Sequence, residues 1–122
     1  MDSSINTYVL FGGTSEERNV STASAQHVVE YLPDAALLFW EKDDTIAIVD
    51  RDDLINFPNP FYSDFKPRNP KSLGKITEAF KKMHPSTKVF LALHGGRGED
   101  GWIQKILEDA KIFFSWIRKC CL

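Results

Sequence analysis

Two short glycine-containing segments gather the residue types that could hold a small ligand carrying both charges. The first is Gly12-Gly13-Thr14-Ser15-Glu16-Glu17. Glycines let backbone N–H groups close on an anion, and a helix start adds partial positive charge. Glu17 could present its carboxylate to a cationic group such as an ammonium. The same letters also fit a capping box, Thr14-x-x-Glu17, in which Glu17 only satisfies a helix end. The segment is neither G-x-G-x-x-G nor G-x-x-x-x-G-K-[ST], so both standard nucleotide fingerprints are missing. The second segment is His94-Gly95-Gly96-Arg97-Gly98-Glu99-Asp100-Gly101. A histidine there suits hydrogen bonding or charge pairing with a carboxylate, and equally suits a satisfied structural role. Asp100 reads as the N-cap of a following helix, and Arg97 as a solvated or loop-pairing charge.

Other reactive side chains form no constellation. His27 falls within one helical pattern and His84 at the end of another, too scattered with His94 for a metal site. Cys120 and Cys121 are adjacent, without C-x-x-C spacing, and read as two reduced thiols.

The elements that must position the two segments follow from periodicity. Ile5 to Phe11 is a short apolar run ended by Gly12-Gly13, a buried strand. Val20, Ala23, Val28, Tyr31 and Leu32 recur at helical spacing until Pro33-Asp34. Ala36 to Trp40 and Thr45 to Val49 are strands flanking a polar turn, a hairpin without the usual glycine. Arg51 to Lys71 reads as irregular and carries Pro58, Pro60, Pro67 and Pro70. Leu73, Ile76, Phe80 and Met83 mark a second helix. Lys88 to Leu93 is a further strand, Trp102, Ile103, Ile106, Leu107 and Ala110 line a third helix, and Ile112-Phe113-Phe114 begins a last strand. This order predicts an α/β fold, a mostly parallel open sheet with helices on both faces. In such sheets ligands collect at the carboxyl ends of strands, where both glycine segments fall.

Composition narrows the class further. The 122 residues carry 15 basic and 17 acidic side chains, a formal charge of −2, with 43% hydrophobic and 26% charged residues. That fits one globular domain and no basic groove, so no nucleic-acid partner is expected. The longest apolar runs, such as Val89 to Leu93, fall far short of the ~20 residues that span a bilayer, and the start lacks a secretory pattern; no membrane partner is expected. No internal repeat is present.

The two segments, in order and roughly 70 residues apart, also carry a resemblance. Val9-Leu10-Phe11-Gly12-Gly13-Thr14-Ser15-Glu16-Glu17-Arg18-Asn19-Val20-Ser21 resembles the opening signature of D-alanine–D-alanine ligases. Leu93-His94-Gly95-Gly96-Arg97-Gly98-Glu99-Asp100-Gly101-Trp102-Ile103-Gln104 resembles that family's second signature. Asn19, Trp102 and Lys105 stand where an acid, a threonine and a glycine are usual.

The resemblance implies the Rossmann-like pre-ATP-grasp domain over residues 1–112, with 113–122 a divergent tail and the two ATP-grasp domains absent. A truncated or frame-shifted ligase product is the resulting expectation. It implies a cytoplasmic enzyme that activates one D-alanine with ATP and joins it to a second, giving the dipeptide used in peptidoglycan. Glu17 would contact the first D-alanine's ammonium, Val20 would line that subsite, and His94 with Gly95 would lie at its carboxylate. Glu17 and His94 would be the catalytic pair. ATP and Mg²⁺ would be held by the missing domains, so no cofactor or metal is expected on this chain and no catalysis by it alone. A homodimer through this domain is a further expectation. The alternative is a non-catalytic α/β binding or dimerisation module derived from such a ligase.

Overall fold

The computed structural model describes residues 6–93 and 100–117. In chain order they form β1 (Thr7–Gly12), α1 (Arg18–Val28), β2 (Ala36–Trp40), β3 (Thr45–Val49), α2 (Arg51–Ile55), β4 (Lys71–Lys75), α3 (Ile76–Ala79), β5 (Lys88–Leu91), α4 (Trp102–Asp109) and β6 (Phe113–Trp116). Single 3₁₀ turns extend α1 through Val29–Tyr31 and α3 through Phe80–Lys82.

The strands make one six-stranded sheet in the order β4-β3-β2-β1-β5-β6. β2, β1, β5 and β6 run parallel, while β3 and β4 add on antiparallel beyond β2. The central strands are apolar on both sides because both faces are covered. Leu10, Leu38, Leu91, Ile103, Leu107, Ile76 and Phe80 pack beneath α3 and α4. Val9, Phe11, Leu37, Ala25, Val28 and Leu54 pack beneath α1 and α2. The expected mostly parallel α/β sheet is therefore present, as is the β2–β3 hairpin with the expected strand limits.

Three expectations are corrected. Of the expected stripe Val20, Ala23, Val28, Tyr31 and Leu32, Val28 is buried and Leu32 packs against the core, but Tyr31 is exposed, and the rest of the buried face of α1 is Ser21, Thr22, Ser24 and Ala25. Small residues let this helix lie close to the sheet, and its hydroxyls find backbone acceptors instead of costing burial energy. Leu73 belongs to β4, not to a helix: β3 offers an unpaired edge, and the 71–75 segment pairs with it before α3 begins. Within the stretch read as irregular, Arg51–Ile55 is helical. Arg51 there donates to the carbonyls of Val29, Leu32 and Ala35, each at 2.8 Å, and so satisfies the end of the preceding helical segment.

The hairpin turn forms without glycine because Asp44 takes the left-handed conformation (φ 67°), which aspartate tolerates better than most residues. Its carboxylate accepts the Trp40 indole N–H at 3.0 Å.

Candidate functional site

The turn after β1 is set by backbone packing. Gly12 and Gly13 both have positive φ (98° and 101°), and the Gly13 N–H donates to the Trp40 carbonyl at 2.9 Å. A Cβ on Gly12 would stand 2.7 Å from that same oxygen and 2.7 Å from the Phe39 ring. Only glycine fits where β1 turns so tightly against the end of β2. The Trp102 indole stacks on Trp40 with centroids 5.6 Å apart, so the departure noted at Trp102 lies beside this turn.

The capping box does not form. α1 begins at Arg18, with Glu17 in the N-cap place and no side-chain cap; the Glu17 N–H donates instead to Ser15 Oγ at 2.9 Å. Among the described residues, no group hydrogen-bonds or pairs with the Glu17 carboxylate, which is exposed at the mouth of the turn. Val20 follows one helical turn later, half-buried.

β5 lies parallel beside β1, with Leu10 opposite Leu91, so their carboxyl ends are neighbours. Ser21, fully buried on α1, ties those ends together. Its hydroxyl accepts the Gly12 N–H at 2.8 Å and donates to the Ala92 carbonyl. His94 and Gly95, like Gly96, Arg97, Gly98 and Glu99, lie outside the described residues. The chain is described again at Asp100, whose carboxylate accepts the Trp102 N–H at 3.0 Å; Gly101, with φ 97°, takes the N-cap place itself. Asp100 thus serves the start of α4 from one residue further out than expected.

Beside Arg18, a cleft of about 360 Å³ opens between α1, the hairpin turn and the 64–66 segment. Arg18 and Lys42 both reach the Asp64 carboxylate there, at 3.2 and 2.8 Å. Donation from Lys42, then from Arg18, holds the Asp64 carboxyl below the ordinary carboxylate range.

Sequence reasoning gave no role to Ser21 or Asp64. A serine on the buried side of a helix in the first signature was the available sign for Ser21. Asp64 sits in a stretch without periodicity, and nothing local marks it. Among the described residues no group of three or more His, Cys, Asp or Glu could hold a metal ion. No helix among them is long and apolar enough to cross a membrane.

Parallel strands β1 and β5 end side by side within a sheet covered by helices on both faces, the arrangement of an open α/β domain. The family model for the D-ala D-ala ligase N-terminus matches residues 6–115, and the chain belongs to that family, as its amino-terminal domain. The D-alanine–D-alanine ligase of Buchnera aphidicola subsp. Baizongia pistaciae is 33% identical over 107 residues, covering 88% of this chain and 25% of the relative. That of Finegoldia magna is 31% identical over 111 residues, covering 84% and 30%. The crystal structure of the Helicobacter pylori D-alanine–D-alanine ligase shares the fold, with a TM-score of 0.62 at 22% identity, over 90% of this chain and 37% of that one. The chain thus spans about a quarter to a third of the length of the curated relatives it matches.

Proposed function

We propose that this chain contributes the first D-alanine subsite of a D-alanine–D-alanine ligase. Glu17 takes the substrate ammonium, Val20 lines the subsite, and His94 with the Gly95 amide takes the carboxylate. The observation that carries this reading is the Ser21 bridge between the ends of β1 and β5, the two strands that lead into the signature turns.

The chemistry follows from charge. An exposed carboxylate that no described residue bonds attracts an ammonium, and an imidazole with adjacent amides suits a carboxylate. Held at both ends, the amino acid is fixed in orientation, which is the largest contribution a binding domain can make to a two-substrate reaction. Phosphoryl transfer from ATP, with Mg²⁺, falls to the rest of such a ligase, in the cytoplasm, where the dipeptide feeds peptidoglycan synthesis. The chain by itself binds without catalysing.

Complementation tests this. The chain is mixed with separately produced central and carboxyl-terminal ligase domains, and dipeptide formation from D-alanine and ATP is measured. Dipeptide is expected only from the mixture, and Glu17→Gln should lower it by roughly 10- to 100-fold. Dipeptide from the chain alone would refute the division of labour. Glu17→Gln and His94→Ala variants indistinguishable from the parent would instead favour a non-catalytic module.

A further inference from the structure

Arg18 immediately follows Glu17. Opposite charges on neighbouring long side chains attract each other, and a guanidinium with no other acceptor is drawn toward the Glu17 carboxylate. Here Asp64 claims the arginine. Nε and Nη2 of Arg18 donate to the two Asp64 oxygens, at 3.2 and 3.4 Å, and Nη1 donates to the Ser15 carbonyl at 3.4 Å. Each guanidinium nitrogen therefore has an acceptor other than Glu17, in the fork geometry that arginine and carboxylate share.

The position of Asp64 is fixed from beneath. The next residue, Phe65, is buried, with its ring 5.6 Å from Phe11 and 5.1 Å from Phe39. Phe11 directly precedes the glycine turn. On the solvent side Lys42 donates to Asp64 at 2.8 Å. The loop that carries this carboxylate is thus registered against the same strand that carries the site.

We propose that Asp64 is a positioning residue that keeps the Arg18 guanidinium off the Glu17 carboxylate, leaving that carboxylate available to a cationic ligand. The inference rests on reading Glu17 as the ammonium-binding acid. An ordinary exposed ion pair would have no such consequence: its loss would change little and would not be felt at Glu17.

The test follows the Arg18 Nε–H resonance by NMR in the whole chain, together with D-alanine titrations. In Asp64→Asn the resonance should move to a position that shifts again when Glu17→Gln is added, because Arg18 has turned to Glu17. D-alanine binding should weaken roughly threefold to fivefold. Adding Arg18→Gln to Asp64→Asn should restore it to within about twofold, and Asp64→Glu should bind as the parent does. An Arg18 resonance in Asp64→Asn that ignores Glu17→Gln overturns the proposal whether or not D-alanine binds. So does a double variant that stays as weak as Asp64→Asn. An Arg18 resonance that responds to Glu17→Gln in Asp64→Asn, with no D-alanine binding to the parent, counts against the subsite reading alone.

Discussion

In the turn after β1, main-chain atoms and one buried hydroxyl do the holding. Gly13 is bonded to the Trp40 carbonyl, Gly12 lies too close to β2 for any side chain, and the Ser21 hydroxyl joins the Gly12 amide to β5. In the 56–70 loop that flanks the same rim, side chains do it. Gln26 donates to the carbonyls of Leu54 and Phe57 at 2.9 and 2.8 Å, Asp53 grips Arg68, Asp64 grips Arg18, and Phe65 plugs an aromatic cluster. An arrangement built so largely on the backbone offers no alternative geometry. A side-chain arrangement can be loosened contact by contact.

The contrast is most sharply broken at Gly12. Alanine there meets the Trp40 oxygen and the Phe39 ring and must also adopt positive φ. Overpacking and left-handed backbone together should cost about 4 kcal/mol, read as a fall in urea unfolding stability. Phe65→Ala is the matching change in the loop. It empties a buried ring site between Phe11, Phe39 and Phe57, and should cost about 3 kcal/mol, towards the low end for such truncations because a loop can settle into the gap. Hydrogen exchange distinguishes the two. Phe65→Ala should leave the Gly12 and Gly13 amides as protected as in the parent, and Gly12→Ala should expose them. Loss of protection at the turn in Phe65→Ala would show that the two regions are one cooperative unit.

The same contrast explains what could be read from the letters. The strands and α4 announce themselves through short apolar runs and a helical stripe, since burial on a sheet imposes those periods. The glycine turn was legible because backbone geometry restricts residue type. β4 was not. Lys71–Lys75 is largely exposed and weakly patterned, and only the open edge of β3 makes it a strand. The buried side of α1 was legible at Val28 but not at Ser21, Thr22 and Ser24, since polar residues there carry no apolar period and Ser21 finds its acceptor, Ala92, only in the fold. Of the site, Glu17 was visible as an acid in a suggestive place. Asp64 was not, because its meaning comes from Arg18, 46 residues away.

The smallest expected effect concerns acid. The Asp53 carboxyl lies below its ordinary value of 3.8, first because the Arg68 backbone N–H donates to it at 3.0 Å and then because the Arg68 guanidinium does. A carboxyl lowered in the folded state stabilises it above the unfolded pKa, and that contribution is lost as pH falls through the folded one. Asp53 and Asp64, both lowered, fasten the loop, whereas Ser21 and the Trp40 carbonyl, which fasten the turn, do not titrate. Acid should therefore loosen the loop before the turn. Between pH 6 and pH 3 the protection factor of the Arg68 amide, taken relative to intrinsic exchange at each pH, should fall while Gly13 keeps its own. Asp53→Asn should be slightly less stable than the parent at pH 6 in urea, and the gap should close as pH drops below about 4. A gap that stays constant across that range would mean that the Asp53 charge contributes nothing to holding the loop.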